Sequence, residues 1–135
     1  MHSTASLGGM ADRVICALYA ADVERSATFY AHLGFAEHVR LPAPDGSPGY
    51  VGLRRGAAEL GITAEAWPHQ AFGRRAGPGP RFELMLYVDD LDAVLRDPAG
   101  PLLRDAELMP WGERIAYLAD PDGNPVALVQ EHDGS

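Results

Sequence analysis

Two short phrases, "AADVERSA" starting at Ala20 and "VDDLDAVL" starting at Val88, each pass from a strand-like run through an acidic cap into a helix-like run. They occupy equivalent places in two successive stretches that share one order: strand, helix, then three strands. A unit of that kind buries too little apolar surface to stand alone, so two copies in 135 residues point to one domain built by duplication. In the first copy "RVICALY", Arg13 to Tyr19, reads as a strand buried on both faces. Asp22 then caps a helix whose Val23, Ala27 and Tyr30 share a face, and Gly34 ends it. Strands follow at Ala36–Leu41, Gly49–Arg54 and Ala58–Thr63, separated by the turn-rich "PAPDGSPG" and by Arg55-Gly56.

"AEAWPHQAFGRRAGPGP", residues 64–80, reads as an irregular linker because of its glycines and prolines. The order then repeats. "RFELMLYV" is a strand, Asp89 or Asp90 caps the short helix "LDAVLRD", and "PLLRDAELM", "ERIAYLA" and "NPVALVQ" are extended. The boundaries are therefore an N-terminal extension at 1–12, a first module at 13–63, the linker at 64–80, a second module at 81–131 and a tail at 132–135.

Composition excludes some functions. A net charge of −8 argues against a nucleic-acid partner, which would need clustered basic residues to neutralise phosphates. The acidic balance is compatible with a cationic small molecule. No run approaches the roughly 20 apolar residues of a membrane span, and "MHSTASLGGM" lacks the marks of a secretory signal. The single cysteine, Cys16, fits a reducing cytoplasm, and its apolar neighbours suggest a small core residue.

The phrases "ERSATFYAHLGF" and "PWGERIAYLADPDGNPVALVQ", in that order of elements, resemble the vicinal oxygen chelate superfamily over about Arg13 to Glu131. Its members include glyoxalase I, extradiol dioxygenases, fosfomycin-inactivating transferases and bleomycin resistance proteins. The resemblance implies an α+β fold of two βαβββ modules, with mixed sheets curled into a cup that binds a ligand within the chain or across a homodimer. Metal-dependent relatives place one ligand on the first and last strand of each module. Here those positions fall on Ile15, on or next to Gly61, on Glu83 and on Ala127, with Glu59 two residues from Gly61. Shifts of two residues preserve the face and offer Arg13, Ala17, Pro125 or Val129, none of them a ligand. The five histidines, His2, His32, His38, His69 and His132, read as surface residues. The expectation is no metal and no other cofactor.

Period-two alternation then puts Tyr19, Met85 and Tyr87 on the same inner face as those positions, with Glu83 a buried or half-buried acid. On residue types alone such a face is either a binding cavity or filled core. The C-terminal stretch, with Pro110-Trp111-Gly112, resembles the bleomycin resistance branch, which implies sequestration of a drug without chemical change. Trp111 is the first candidate for stacking on a flat ring, followed by Trp67, Tyr50 and Phe35. The alternative is a cofactor-independent tailoring enzyme, an isomerase, cyclase or lyase. Glu83 would be its general acid or base, with a pKa raised by burial, and Tyr19 or Tyr87 an oxyanion donor. A metalloenzyme using Glu59 and Glu83 is the third reading.

Overall fold

The computed structural model describes residues 14–79 and 81–131, so the expected extension, tail, Arg13, His2 and His132 lie outside the described residues. The elements run β1 (Cys16–Ala20), α1 (Val23–His32), β2 (Ala36–Pro42), β3 (Pro48–Arg55), β4 (Ala58–Ala64) and α2 (Trp67–Phe72). The second half continues with β5 (Leu84–Tyr87), α3 (Leu91–Leu95), β6 (Leu102–Leu108), β7 (Arg114–Ala119) and β8 (Pro125–Gln130).

The repeat is real at the level of hydrogen bonds. Asp22 accepts from the Arg25 amide at 3.0 Å and Asp90 from the Ala93 amide at 3.1 Å, each satisfying a donor that the first helical turn leaves unpaired. Each module forms a four-stranded mixed sheet, ordered β1-β4-β3-β2 and β5-β8-β7-β6. In both, the first strand runs parallel to the last, and the other pairs are antiparallel. The return to parallel pairing is what the helix after the first strand permits.

A single core joins the modules. Ala27 and Tyr30 from α1, with Leu33 just after it, pack with Leu60 and Ile62 of the first sheet, and the same cluster takes in Leu118 and Leu128 of the second. Polar contacts reinforce the junction. Asp120 accepts from the Tyr30 hydroxyl at 2.6 Å, and Asp122 accepts from the Ala21 amide at 3.1 Å and the Ser26 hydroxyl at 3.2 Å. The turn "DPDGN" is thus a clasp on α1 as well as a link between β7 and β8.

Several expectations need correction. The linker is not wholly irregular, because Trp67–Phe72 forms α2, with Pro68 in its first turn and Gly73 at φ 76° as its stop. The first strand is not buried on both faces: Ile15, Cys16 and Ala17 at its start are exposed on either side, so Cys16 is no core residue. β1 is an edge strand of its sheet, and among the described residues no strand pairs with its outer side. Phe35 is buried in the core, edge-on to Tyr30 with ring centroids 6.1 Å apart.

Gly100 shows how closely the modules fit. A β-carbon there would lie 2.7 Å from the Ala119 carbonyl oxygen and 2.8 Å from the buried Phe29 ring. Neither can retreat, so Gly100→Ala is expected to destabilise the protein by about 1–3 kcal/mol. Urea denaturation measures this, and an unchanged midpoint would show that the loop relaxes freely.

Candidate functional site

Register decides which side chains share a face, because residues directly opposite in a sheet point the same way. In the first sheet the pairs Ala17–Gly61, Tyr19–Thr63, Tyr50–Thr63, Gly52–Gly61 and Arg54–Glu59 lie on the face turned away from the core. On the edge strand β2 register shifts realign the pairing, so that Val39 opposes Gly52 and Leu41 opposes Tyr50.

Tyr50 lies across this face. A β-carbon on Gly61 would meet its hydroxyl at 2.7 Å, and one on Gly52 would come within 3.4 Å of its ring. Glycines at these two opposed positions give the phenol room to lie flat on the sheet. Beyond it, His38 Nε2 and Arg54 Nε each stand 3.8 Å from the Glu59 carboxylate, whose side chain is only 11% exposed. His38 is thus a surface residue, as expected, with Glu59 as a neighbour.

Next to Tyr50 a cleft of about 730 Å³ opens between the β2–β3 hairpin and α2. Its floor is Tyr50 and Thr63, one wall is Leu41 to Asp45, and the other is Ala66, Trp67 and Gln70. Its size falls in the range of small-molecule sites, roughly 300–1,000 Å³. Two sequence candidates, Tyr50 and Trp67, thus meet here. Asp45 was missed: its carboxylate accepts from the Ser47 amide at 3.0 Å and from the Ser47 hydroxyl, and these bonds hold its pKa below the ordinary carboxylate value. The "DGS" turn was visible in the sequence, but nothing in it said which way Asp45 faces.

The second sheet carries a separate face. Ile115, Ala127 and Val129 form their own small apolar cluster, with Met109 and Tyr117 packed on it. Met85 and Tyr87 stand exposed in register with Ala127 and Val129, as their spacing predicts. Trp111, 66% exposed in the β6–β7 turn, donates its indole N–H to Glu113 at 2.8 Å, and Tyr87 donates its hydroxyl to the same carboxylate at 3.1 Å. That hydrogen bond to an anion is the main cause holding the Tyr87 phenol above its usual pKa. Glu113 pins both rings; the sequence offered only its position two residues after Trp111.

Tyr19 is half-buried on the first face and its carbonyl accepts from Arg81 at 2.7 Å. Glu83 is exposed, one residue ahead of β5, so in the single chain it lacks the burial on which its acid–base role was premised. The family's metal positions can be tested directly. Gly61 lies beneath Tyr50, Ala127 is fully buried in the second-face cluster, and Ile15 is an exposed aliphatic, leaving Glu83 as the one donor of the four. Among the described residues no three His, Cys, Asp or Glu side chains come together. These positions do not fit a bound divalent ion, which needs several converging donors.

The sequence matches the family model described as Glyoxalase/Bleomycin resistance protein/Dioxygenase superfamily over residues 13–128. The chain belongs to that superfamily. No curated protein matches the sequence of this glyoxalase/bleomycin resistance superfamily member. Solved structures agree with the assignment. TioX from Micromonospora sp. ML1 superposes with a TM-score of 0.72 at 21% identity, over 90% of this chain and 98% of that one. A lactoylglutathione lyase from Agrobacterium tumefaciens gives 0.66 at 22% identity, over 86% and 90%. A bleomycin resistance determinant encoded on the transposon Tn5 gives 0.59 at 27% identity, over 89% and 98%. At these identities the shared property is the fold, and chemistry has to be argued from the site.

Proposed function

We propose that this superfamily member is a metal-free binding protein that sequesters a flat aromatic small molecule, in the manner the bleomycin resistance resemblance implies. The observation that carries this reading is the meeting of Tyr50 and Trp67 at one 730 Å³ cleft. Trp67 is 53% exposed and Tyr50 half-buried, so a ligand has aromatic surface left to cover. Apolar walls at Leu41, Pro42 and Ala64 add non-directional affinity, while Thr63 and Gln70 supply a few hydrogen-bonding groups. Its single cysteine suits work in a reducing cytoplasm, and among the described residues no helix is long and apolar enough to cross a membrane.

The working unit in this reading is a homodimer. Met85, Tyr87 and Trp111 leave an apolar, aromatic second face open in the single chain. A second copy that set this face against the first-sheet face would close the cup and bring Trp111 toward the cleft. The test is a thermal-shift screen with bleomycin-like and mitomycin-like compounds, followed by mass spectrometry of the recovered ligand. A raised melting temperature with ligand returned unchanged is expected. A chemically altered ligand would replace this reading with an enzymatic one.

A further inference from the structure

We infer that the cleft selects planar organic cations and that Asp45, at the tip of the β2–β3 hairpin, is the residue that makes the selection; this rests on the cleft being an aromatic-ligand site. Three observations converge. Among the described residues that line the cleft, Asp45 is the one with a charged side chain. The rings beside it, Tyr50 and Trp67, present electron-rich faces that attract cations and are indifferent or unfavourable to anions. None of the described residues that line the cleft is basic, and the nearest arginine in sequence points elsewhere. Arg40 neighbours the lining residue Leu41, but strand alternation turns it to the opposite face, where it bonds Glu24 at 2.6 Å and Glu37 at 2.8 Å.

Asp45 is also fixed in place. The hairpin is closed by the Ala43 amide donating to the Ser47 carbonyl at 2.7 Å and the Gly46 amide donating to the Ala43 carbonyl at 2.9 Å. Ser47 then holds one carboxylate oxygen through its amide and hydroxyl. The carboxylate is thus presented at the cleft in one orientation, and a cation can reach it without the loop having to order first. A flat cation lying between Tyr50 and Trp67 gains stacking and cation–π attraction from the rings, and Coulomb attraction from Asp45.

Three tricyclic probes of matched size test this: N-methylacridinium, neutral acridone and 9-anthracenecarboxylate, titrated by calorimetry into the full chain. The expected order of affinity is cation, neutral, anion. The cation should exceed acridone by about fivefold at low salt, the upper end for an exposed charge pair, and less as sodium chloride is added. Asp45→Asn keeps an amide oxygen that can accept from Ser47, so the loop stays closed. It should remove the advantage of the cation while acridone binds as before, and unchanged acridone binding also shows that the cleft is intact. Equal binding of acridone and acridinium to the wild type, or a cation preference that survives in Asp45→Asn, overturns the inference and leaves the aromatic cleft standing. No binding of any of the three removes the aromatic-cleft reading and this inference with it.

Discussion

Asp120→Ala is expected to cost about 3–5 kcal/mol of folding stability, because it removes the shared acceptor of a buried hydrogen-bond network. Asp120 is 3% exposed and Asn124 1%. One oxygen of the Asp120 carboxylate accepts from the Asp122 and Asn124 amides at 2.9 and 2.8 Å. The other accepts from the Asn124 side chain at 2.9 Å and from the Tyr30 hydroxyl at 2.6 Å, ninety residues away in sequence. Truncation strands buried donors at about 1–3 kcal/mol each. A domain of this size has only ~5–15 kcal/mol in total. Chemical denaturation should show the midpoint collapse, with Asp120→Asn intermediate because its amide retains one acceptor. A change below about 1 kcal/mol for Asp120→Ala would mean that the clasp between the modules carries no weight.

The same contact sets an alkaline limit. Burial first, then the hydrogen bond and charge of Asp120, push the Tyr30 phenol well above its ordinary pKa. A folded-state pKa above the unfolded value means the contribution is fully present below about pH 10, where unfolded tyrosine is still protonated. It is lost as pH rises beyond that, because the unfolded chain releases a proton the folded one keeps. Stability should therefore fall steeply above about pH 10, and Tyr30→Phe should flatten that fall while lowering stability at neutral pH by about 1.5–3 kcal/mol.

Trp67→Ala is expected to weaken binding of an aromatic ligand by tenfold or more. A ring laid on the indole covers on the order of 100 Å², worth about 2.5 kcal/mol at 25 cal/mol per Å² before any stacking preference is counted. Trp67 sits in the first turn of α2, whose Pro68 is buried and anchors the helix, so its removal changes the cleft wall and leaves the core untouched. Trp111→Ala should have a smaller effect, since that indole belongs to the second face, held by Glu113. Titrations of both variants with acridone, read by calorimetry, decide the ranking. If Trp111→Ala proves the more damaging, the second sheet, and not α2, supplies the main stacking surface.

Much of the architecture could be read from local signals. Asp22 and Asp90 announced the two helices, period-two alternation placed Met85 and Tyr87 on one face, and "DPDGN" marked the last hairpin. α2 was missed because its six residues carry a Pro and lie beside a glycine-rich run, so composition outweighed a weak helical signal. Phe35 was misplaced because it follows the helix stop at Gly34, where alternation gives no phase and packing against Tyr30 decides. Glu83 was misjudged for a different reason: its parity is right, but the strand begins one residue later and leaves it in solvent.

The sequence by itself determined the repeated order of elements, the caps, the turns and the parity of β1, β4, β5 and β8. These depend on dihedral preferences and on hydrogen bonds that reach three or four residues. Only the tertiary structure decided which distant groups meet. The hairpin tip at Asp45, the first part of β3 at Tyr50 and the start of α2 at Trp67 come to one cleft because sheet register and a helix hidden in a linker put them there. The turn at Asp120 closes on Tyr30 because the two modules share a core. Such convergence comes from long-range packing, which no local pattern in the chain encodes.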